Sequence, residues 1–327
     1  MKFIVLKKRR IFQTITILVI ALLSPLLMNM YRNHLYNSKT VMGGAYYQQF
    51  NENKLNKKNN ENIDFEEYFR PSKLPILNDR DYKLFSVDYV EQPSEVVIPD
   101  SLLSTPEDTL INYFSILREA ANPQRGKITG CGSIGYGEIP YPIAYNFLSS
   151  SYQDKVNYKQ FLKSFENILH IDLIKLRQAP RDEKHPNSIR NFIEMETIEG
   201  SEKGTAHFAY YYGFIYLEKE ENQYKITGME FHGENYLCAP YHGWDYIAEA
   251  VVDIKYGDWC SLVKERYQTQ QDGYIKKISF KGTDGNDYLI EFYLLTNGTD
   301  IEVTQYKKNK SGEWESIYID TTNKKKN

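Results

Sequence analysis

The runs "TAHFAYYYGFIYLE", residues 205–218, and "QYKITGMEF", residues 223–231, stand only four residues apart. No helix fits between them, so they pair antiparallel. In the first run Phe208, Tyr210, Tyr212, Phe214 and Tyr216 alternate with residues that are themselves mostly apolar, which covers both faces of the strand. Gly213 interrupts the pattern and is expected at a bend. Two more runs, "LHIDLIKLRQ" from Leu169 and "RNFIEMETI" from Arg190, extend the series upstream, with polar turns between them. Four strands without an intervening helix make one antiparallel sheet.

Three helices are expected ahead of that sheet. "STPEDTLINYFSILREAANP" begins with Thr105 as N-cap, Pro106 at the first helical position and Asp108 completing a Thr-x-x-Asp box; Asn122-Pro123 ends it. Its Leu110, Phe114, Leu117 and Ala121 recur at helical spacing. A short helical piece follows around "AYNFLSSSYQDK". Then comes "NYKQFLKSFENIL", capped by Asn157, with Phe161, Leu162, Phe165, Ile168 and Leu169 as its apolar face.

Beyond the sheet the plan repeats on a smaller scale. "GWDYIAEAVVDIKYGDWCSLVKERY" reads as helical with a break at Gly257, and "GYIKKISFK", "NDYLIEFYLL", "DIEVTQYKK" and "EWESIYID" read as four strands joined by glycine turns. Asn297-Gly-Thr matches a glycosylation sequon but sits in one of those turns.

The amino terminus carries a different signal. Five positive charges, Lys2, Lys7, Lys8, Arg9 and Arg10, precede the uncharged run Ile11 to Met30, which has the span of a bilayer core. The basic flank belongs inside, so the remainder is expected outside the cell membrane. Secretion after signal cleavage is the alternative, although no small-x-small site follows the apolar run directly. The expected order is a basic segment at 1–10, a transmembrane helix at 11–30, a polar extracytoplasmic linker at 31–92, a first domain at 93–240, a second at 241–320 and a tail at 321–327. The fold class is α+β.

With 327 residues and a net charge of -3, the chain has no basic excess for nucleic acid. Gly130, Gly132 and Gly135 match G-x-G-x-x-G, the dinucleotide fingerprint. The context is wrong, because a helix ends before the match and Gly137, Pro140 and Pro142 oppose one directly after it. The stretch is read as a turn in which glycine supplies positive φ, and no cofactor is expected. His232, Cys238 and His242 are three soft ligands within eleven residues, with Cys260 as a possible fourth. Their spacing fits none of the common zinc patterns, so no metal is assigned. Three cysteines leave at least one unpaired; among Cys131, Cys238 and Cys260 the preferred disulfide is Cys238 with Cys260, which would tie the two domains together.

Asp172, Glu194, Glu196 and Glu230 lie on expected strands, where a buried carboxylate could serve as a base. Together with the aromatic strand, whose tyrosines could stack a sugar or peptide, they define the pocket candidates Glu194, Glu196, His207, Tyr210, Tyr211 and Tyr212.

From about Pro99 to Pro240, "TPEDTLINYFSILREA", "AYNFLSSSYQDKVNYKQFLKSF" and "NQYKITGMEF" resemble the nuclear-transport-factor-2-like superfamily. That fold is a cone in which a curved sheet wraps a long helix. The second unit is similar to a smaller, cystatin-like version of helix on sheet. The resemblance implies a membrane-anchored envelope or conjugative-transfer component of a Gram-positive bacterium, without catalysis, binding another envelope protein or a small ligand. Enzymatic members of the superfamily place an Asp or Glu base inside the cone, so a ketosteroid-isomerase-like or dehydratase-like enzyme is the alternative. A cone filled by Phe and Tyr favours the binder; a carboxylate and a tyrosine in a deep apolar pocket favour the enzyme.

Overall fold

The structure is a computed structural model that describes residues 40–47, 74–80, 92–129, 135–182, 184–202, 205–234 and 243–321. The expected membrane segment Ile11–Met30 lies outside them. Among the described residues no helix is long and apolar enough to cross a membrane. The architecture is α+β, with few helices and two largely antiparallel sheets.

The first sheet starts earlier than its composition suggests. Residues 40–47, expected in the linker, form β1 (Thr40–Val41) and β2 (Gly44–Tyr47). β3 (Ile168–Gln178), β4 (Ile189–Glu199), β5 (His207–Glu220) and β6 (Gln223–Gly233) follow as the expected antiparallel series. β2 lies parallel to β6, with Ala45 opposite Glu230 and Tyr46 opposite Phe231, giving the order β1-β2-β6-β5-β4-β3. The segment is locally apolar, with Val41 and Met42 buried in the core under the helices, a signal hidden by the polar chain around it. Asn78, also from the expected linker, is wholly buried. It donates to the carbonyls of Phe114 (3.0 Å) and Ile171 (2.9 Å) and accepts from the Leu173 amide at 2.8 Å.

Helix α1, Pro106–Arg118, begins as its cap residues dictate: Thr105 Oγ1 accepts from the Asp108 amide at 3.0 Å. Leu110, Phe114 and Leu117 are buried against the sheet. The short helical piece is in fact two helices, α2 (Tyr141–Tyr145) and α3 (Ser150–Gln153), because the Ser149 side chain caps a fresh start. α4 (Tyr158–Ser164) carries a complete Asn157/Gln160 capping box. It ends sooner than its apolar spacing suggests, since Asn167 adopts a φ of 79° and Ile168 and Leu169 pass into β3. Gly213 is a point of close approach: a Cβ there would run into the Glu230 carbonyl oxygen on the neighbouring strand.

In the second unit a 3-10 turn, Trp244–Tyr246, leads into α5 (Ala248–Val251), which continues as a π-helix over Val252–Trp259. The expected break at Gly257 is absent. The helical stretch ends instead at Ser261, with a φ of 53°, so "VKER" is a strand and not the last turn of a helix. The strands are β7 (Val263–Arg266), β8 (Gln270–Asp272), β9 (Ile275–Gly282), β10 (Asp287–Leu294), β11 (Asp300–Lys308) and β12 (Trp314–Ile317). Their order is β12-β11-β10-β9-β7, with β8 also on β9, two strands more than the four expected.

The layers stack as helices, sheet, sheet and helix. One face of the first sheet, with Ile193, Met195 and Phe231, packs under the helices. The other places Phe192, Phe214 and Tyr216 against Tyr293, Leu295, Ile301 and Val303 of the second sheet. This shared core explains why β5 is apolar on both sides. Val251, Val252 and Tyr256 close the far face of the second sheet.

Candidate functional site

Two hollows flank the first sheet. The space between α1 and the sheet is taken up by Tyr113, Phe114, Phe147, Phe161, Phe165 and Phe231, all wholly buried. At its mouth a depression of about 500 Å³ remains, lined mainly by polar side chains that include Gln124, Gln160, Asn167 and Glu199. There the Tyr211 hydroxyl donates to Glu199 Oε1 at 2.6 Å. Burial first, then the Glu199 charge, holds that phenol well above its ordinary pKa, so it remains a neutral donor.

The second hollow is a cleft of about 320 Å³ between the two units. Tyr212, Phe214 and His232 supply one wall, and Tyr246 with the start of β11 supplies the other. His232 is flanked by two tyrosine rings, Tyr47 at 5.3 Å and Tyr212 at 5.0 Å, both stacked. Burial lowers its pKa from the ordinary value, and hydrogen bonding to the Tyr47 backbone opposes the shift. On β11, Glu302 is held by Lys255 (2.7 Å), the Tyr256 hydroxyl (2.6 Å) and Gln305 (2.8 Å). Lys255 and Tyr256 are consecutive on the π-helix, and its wider turn presents both to one carboxylate.

The pocket candidates from the sequence divide between the faces of the sheet. Glu194 is wholly buried between the units: Oε2 lies 2.6 Å from Lys175 Nζ, an ion pair outside hydrogen-bond geometry, and Oε1 accepts from the Thr296 amide at 2.8 Å. Lys175 in turn donates to the Leu294 carbonyl at 2.8 Å. Glu194 therefore clasps the two units and faces away from the helices. Glu196 accepts from the Tyr210 hydroxyl at 2.7 Å, a pair that register places directly across β4 and β5. Tyr212 belongs to the cleft wall and Tyr211 to the polar mouth. His207, half-buried, stands opposite Glu199 in register. Asp172 pairs with Arg118 at 3.2 Å and His170 at 3.1 Å, and Glu230 is half-buried opposite Ala45. The six candidates do not converge on one pocket.

Cys260 is half-buried, its thiol pushed up chiefly by burial; its expected partner Cys238 lies outside the described residues, as do Cys131 and His242. Among the described residues no group of three His, Cys, Asp or Glu could hold a metal. Gly135 has the expected positive φ, 56°, while Gly130 and Gly132 lie outside the described residues. Sequence reasoning missed Glu199, Asp245, Tyr246, Thr299 and Asp300. For the last two a signal existed: "TNGTDIEV" puts a hydroxyl and a carboxylate where a turn enters an alternating strand, and the inward members of such a strand are buried.

No family model matches this chain, and neither a characterised protein nor a solved structure does.

Proposed function

We propose that the chain is a non-catalytic binding or scaffold protein of a bacterial cell envelope, anchored by Ile11–Met30 with both α+β units outside the membrane. The first unit is of the nuclear-transport-factor-2-like kind and the second is cystatin-like. A place in a conjugative-transfer assembly is one form this role takes. The observation that carries the reading is the filled interior: Tyr113, Phe114, Phe147, Phe161 and Phe231 occupy the volume in which an enzyme of that superfamily would hold its substrate. The alternative, an isomerase or dehydratase, is supported by the Glu199–Tyr211 pair, a carboxylate and a hydroxyl at the mouth of the cone.

The full-length protein in an uncharged detergent should neither isomerise a β,γ-unsaturated ketosteroid nor dehydrate a β-hydroxyacyl thioester above the uncatalysed rate. Turnover that disappears in Glu199→Gln would replace the binding reading with the enzymatic one. For the location, protease added to cells stripped of their wall should digest the chain beyond Tyr31, and complete protection would place it elsewhere.

A further inference from the structure

Among the described residues, three polar atoms on the cleft between the units have no hydrogen-bond partner. Thr299 is 4% exposed, and its Oγ1 has no hydrogen-bond partner among the described residues. Asp300, with a side chain 2% exposed, uses Oδ2 for the Ala248 amide (3.0 Å) and Lys276 Nζ (2.7 Å), while Oδ1 is unanswered. Nδ1 of His232 is the third. All three residues line the same hollow of about 320 Å³. A single buried orphan has many explanations; three around one cavity point to a group that arrives from outside.

The lining selects the charge of that group. Asp245, Asp300 and Glu302 contribute carboxylates, and no Lys or Arg is among the described lining residues. Lys255 neutralises Glu302 and Lys276 neutralises Asp300. Asp245 is exposed and makes no hydrogen bond or ion pair among the described residues, and Arg190, whose guanidinium lies 3.6 Å from the Phe214 ring centroid, is not itself among the lining residues, so the lining carries more negative than positive charge and disfavours an anion. The orphans can accept. A carboxylate oxygen only accepts, and a threonine hydroxyl accepts as readily as it donates. Burial lowers the His232 pKa and so favours the neutral imidazole, which carries one donor and one acceptor nitrogen. Tyr212, Phe214 and Tyr246 add aromatic rings to the lining; His232 stacks on Tyr212 and the Arg190 guanidinium lies over the Phe214 ring, so Tyr246 is the ring left to meet a cation.

We propose that this cleft binds a small organic cation bearing a primary ammonium, either free or at the tip of a peptide side chain. Asp300 Oδ1 and Thr299 Oγ1 accept its N–H groups, and Asp245 supplies the balancing charge. The inference rests on the binding reading above and names its ligand class.

The test is calorimetric titration of the full-length protein, in an uncharged detergent at fixed ionic strength, with cadaverine, Nα-acetyl-lysine methylamide, glucose and acetate. One of the two amines should bind saturably with one site, and acetate should not. Tighter binding of cadaverine identifies a free amine as the ligand; tighter binding of the lysine derivative identifies a peptide side chain. Asp245→Asn and Thr299→Val should each weaken that binding at least about fivefold. Both variants should keep the parent melting temperature, which separates a lost contact from a lost fold. The proposal is overturned by no saturable amine binding below about 10 mM, by glucose binding more tightly than either amine, or by binding that neither variant changes. Failure of amine binding leaves the filled interior and its turnover test untouched, whereas turnover would remove the binding reading whatever the amines do.

Discussion

Glu194 and Lys175 are both buried, 2.6 Å apart, and each also bonds to the backbone of the second unit. Two charges leave water to make this pair, and their attraction offsets the desolvation only while both are present. Glu194→Ala would leave the Lys175 ammonium buried without a counter-ion among the described residues, against the Leu294 carbonyl and the Tyr274 ring. We expect that variant to lose about 3–5 kcal/mol in urea unfolding. The double variant Glu194→Leu, Lys175→Met should lie nearer the parent, because the stranded charge is removed with its partner. A single-variant loss under about 1 kcal/mol would show that the clasp is not formed.

Helix ends and loops are where the expected elements moved. Asn167 and Ser261, both at positive φ, stop helical runs whose apolar spacing continues past them. The glycine loop behaves as a shape element. It folds back on the end of α1, where the Tyr136 amide donates to the Glu119 carbonyl at 2.8 Å and the Ala121 amide to the Gly137 carbonyl at 2.9 Å. Gly135 and Gly137 have φ of 56° and 62°, yet their surroundings differ. A Cβ at Gly135 would strike the Glu119 carbonyl oxygen, whereas one at Gly137 meets nothing within 4 Å. Gly137→Ala should therefore cost about 1 kcal/mol, the backbone strain alone. Gly135→Ala should cost clearly more, about 2–3 kcal/mol, because the loop must also shift. Equal melting temperatures for the two variants would contradict this account.

At the scale of the molecule the two units share a core. Phe192, Phe214 and Tyr216 of one pack against Tyr293, Leu295, Ile301 and Val303 of the other in a single buried cluster. The units should consequently unfold together, in one calorimetric transition with coincident near- and far-ultraviolet dichroism. Phe192→Ala, at the centre of that core, should lose about 3–5 kcal/mol and shift the transition without splitting it. Two separated transitions in the parent would mean that the sheets fold independently.

Local chemistry was legible in the order of residues. The Thr105 and Asn157 caps, the antiparallel series from β3 to β6, the positive φ of Gly135 and the α+β class each follow from a few neighbouring side chains and their backbone preferences. Other features are set by contacts between distant segments. Alternation showed that β5 is apolar on both faces, but only the packed second sheet identifies what covers the outer one. The parallel strand Gly44–Tyr47 and the buried Asn78 were not legible locally, because the partners that fix them, β6 and β3, lie more than ninety residues away in sequence. Glu194 reads equally well as a base or a clasp until Thr296 and Lys175 are seen beside it, and Thr299, Asp300 and His232 become one site only when the two units meet.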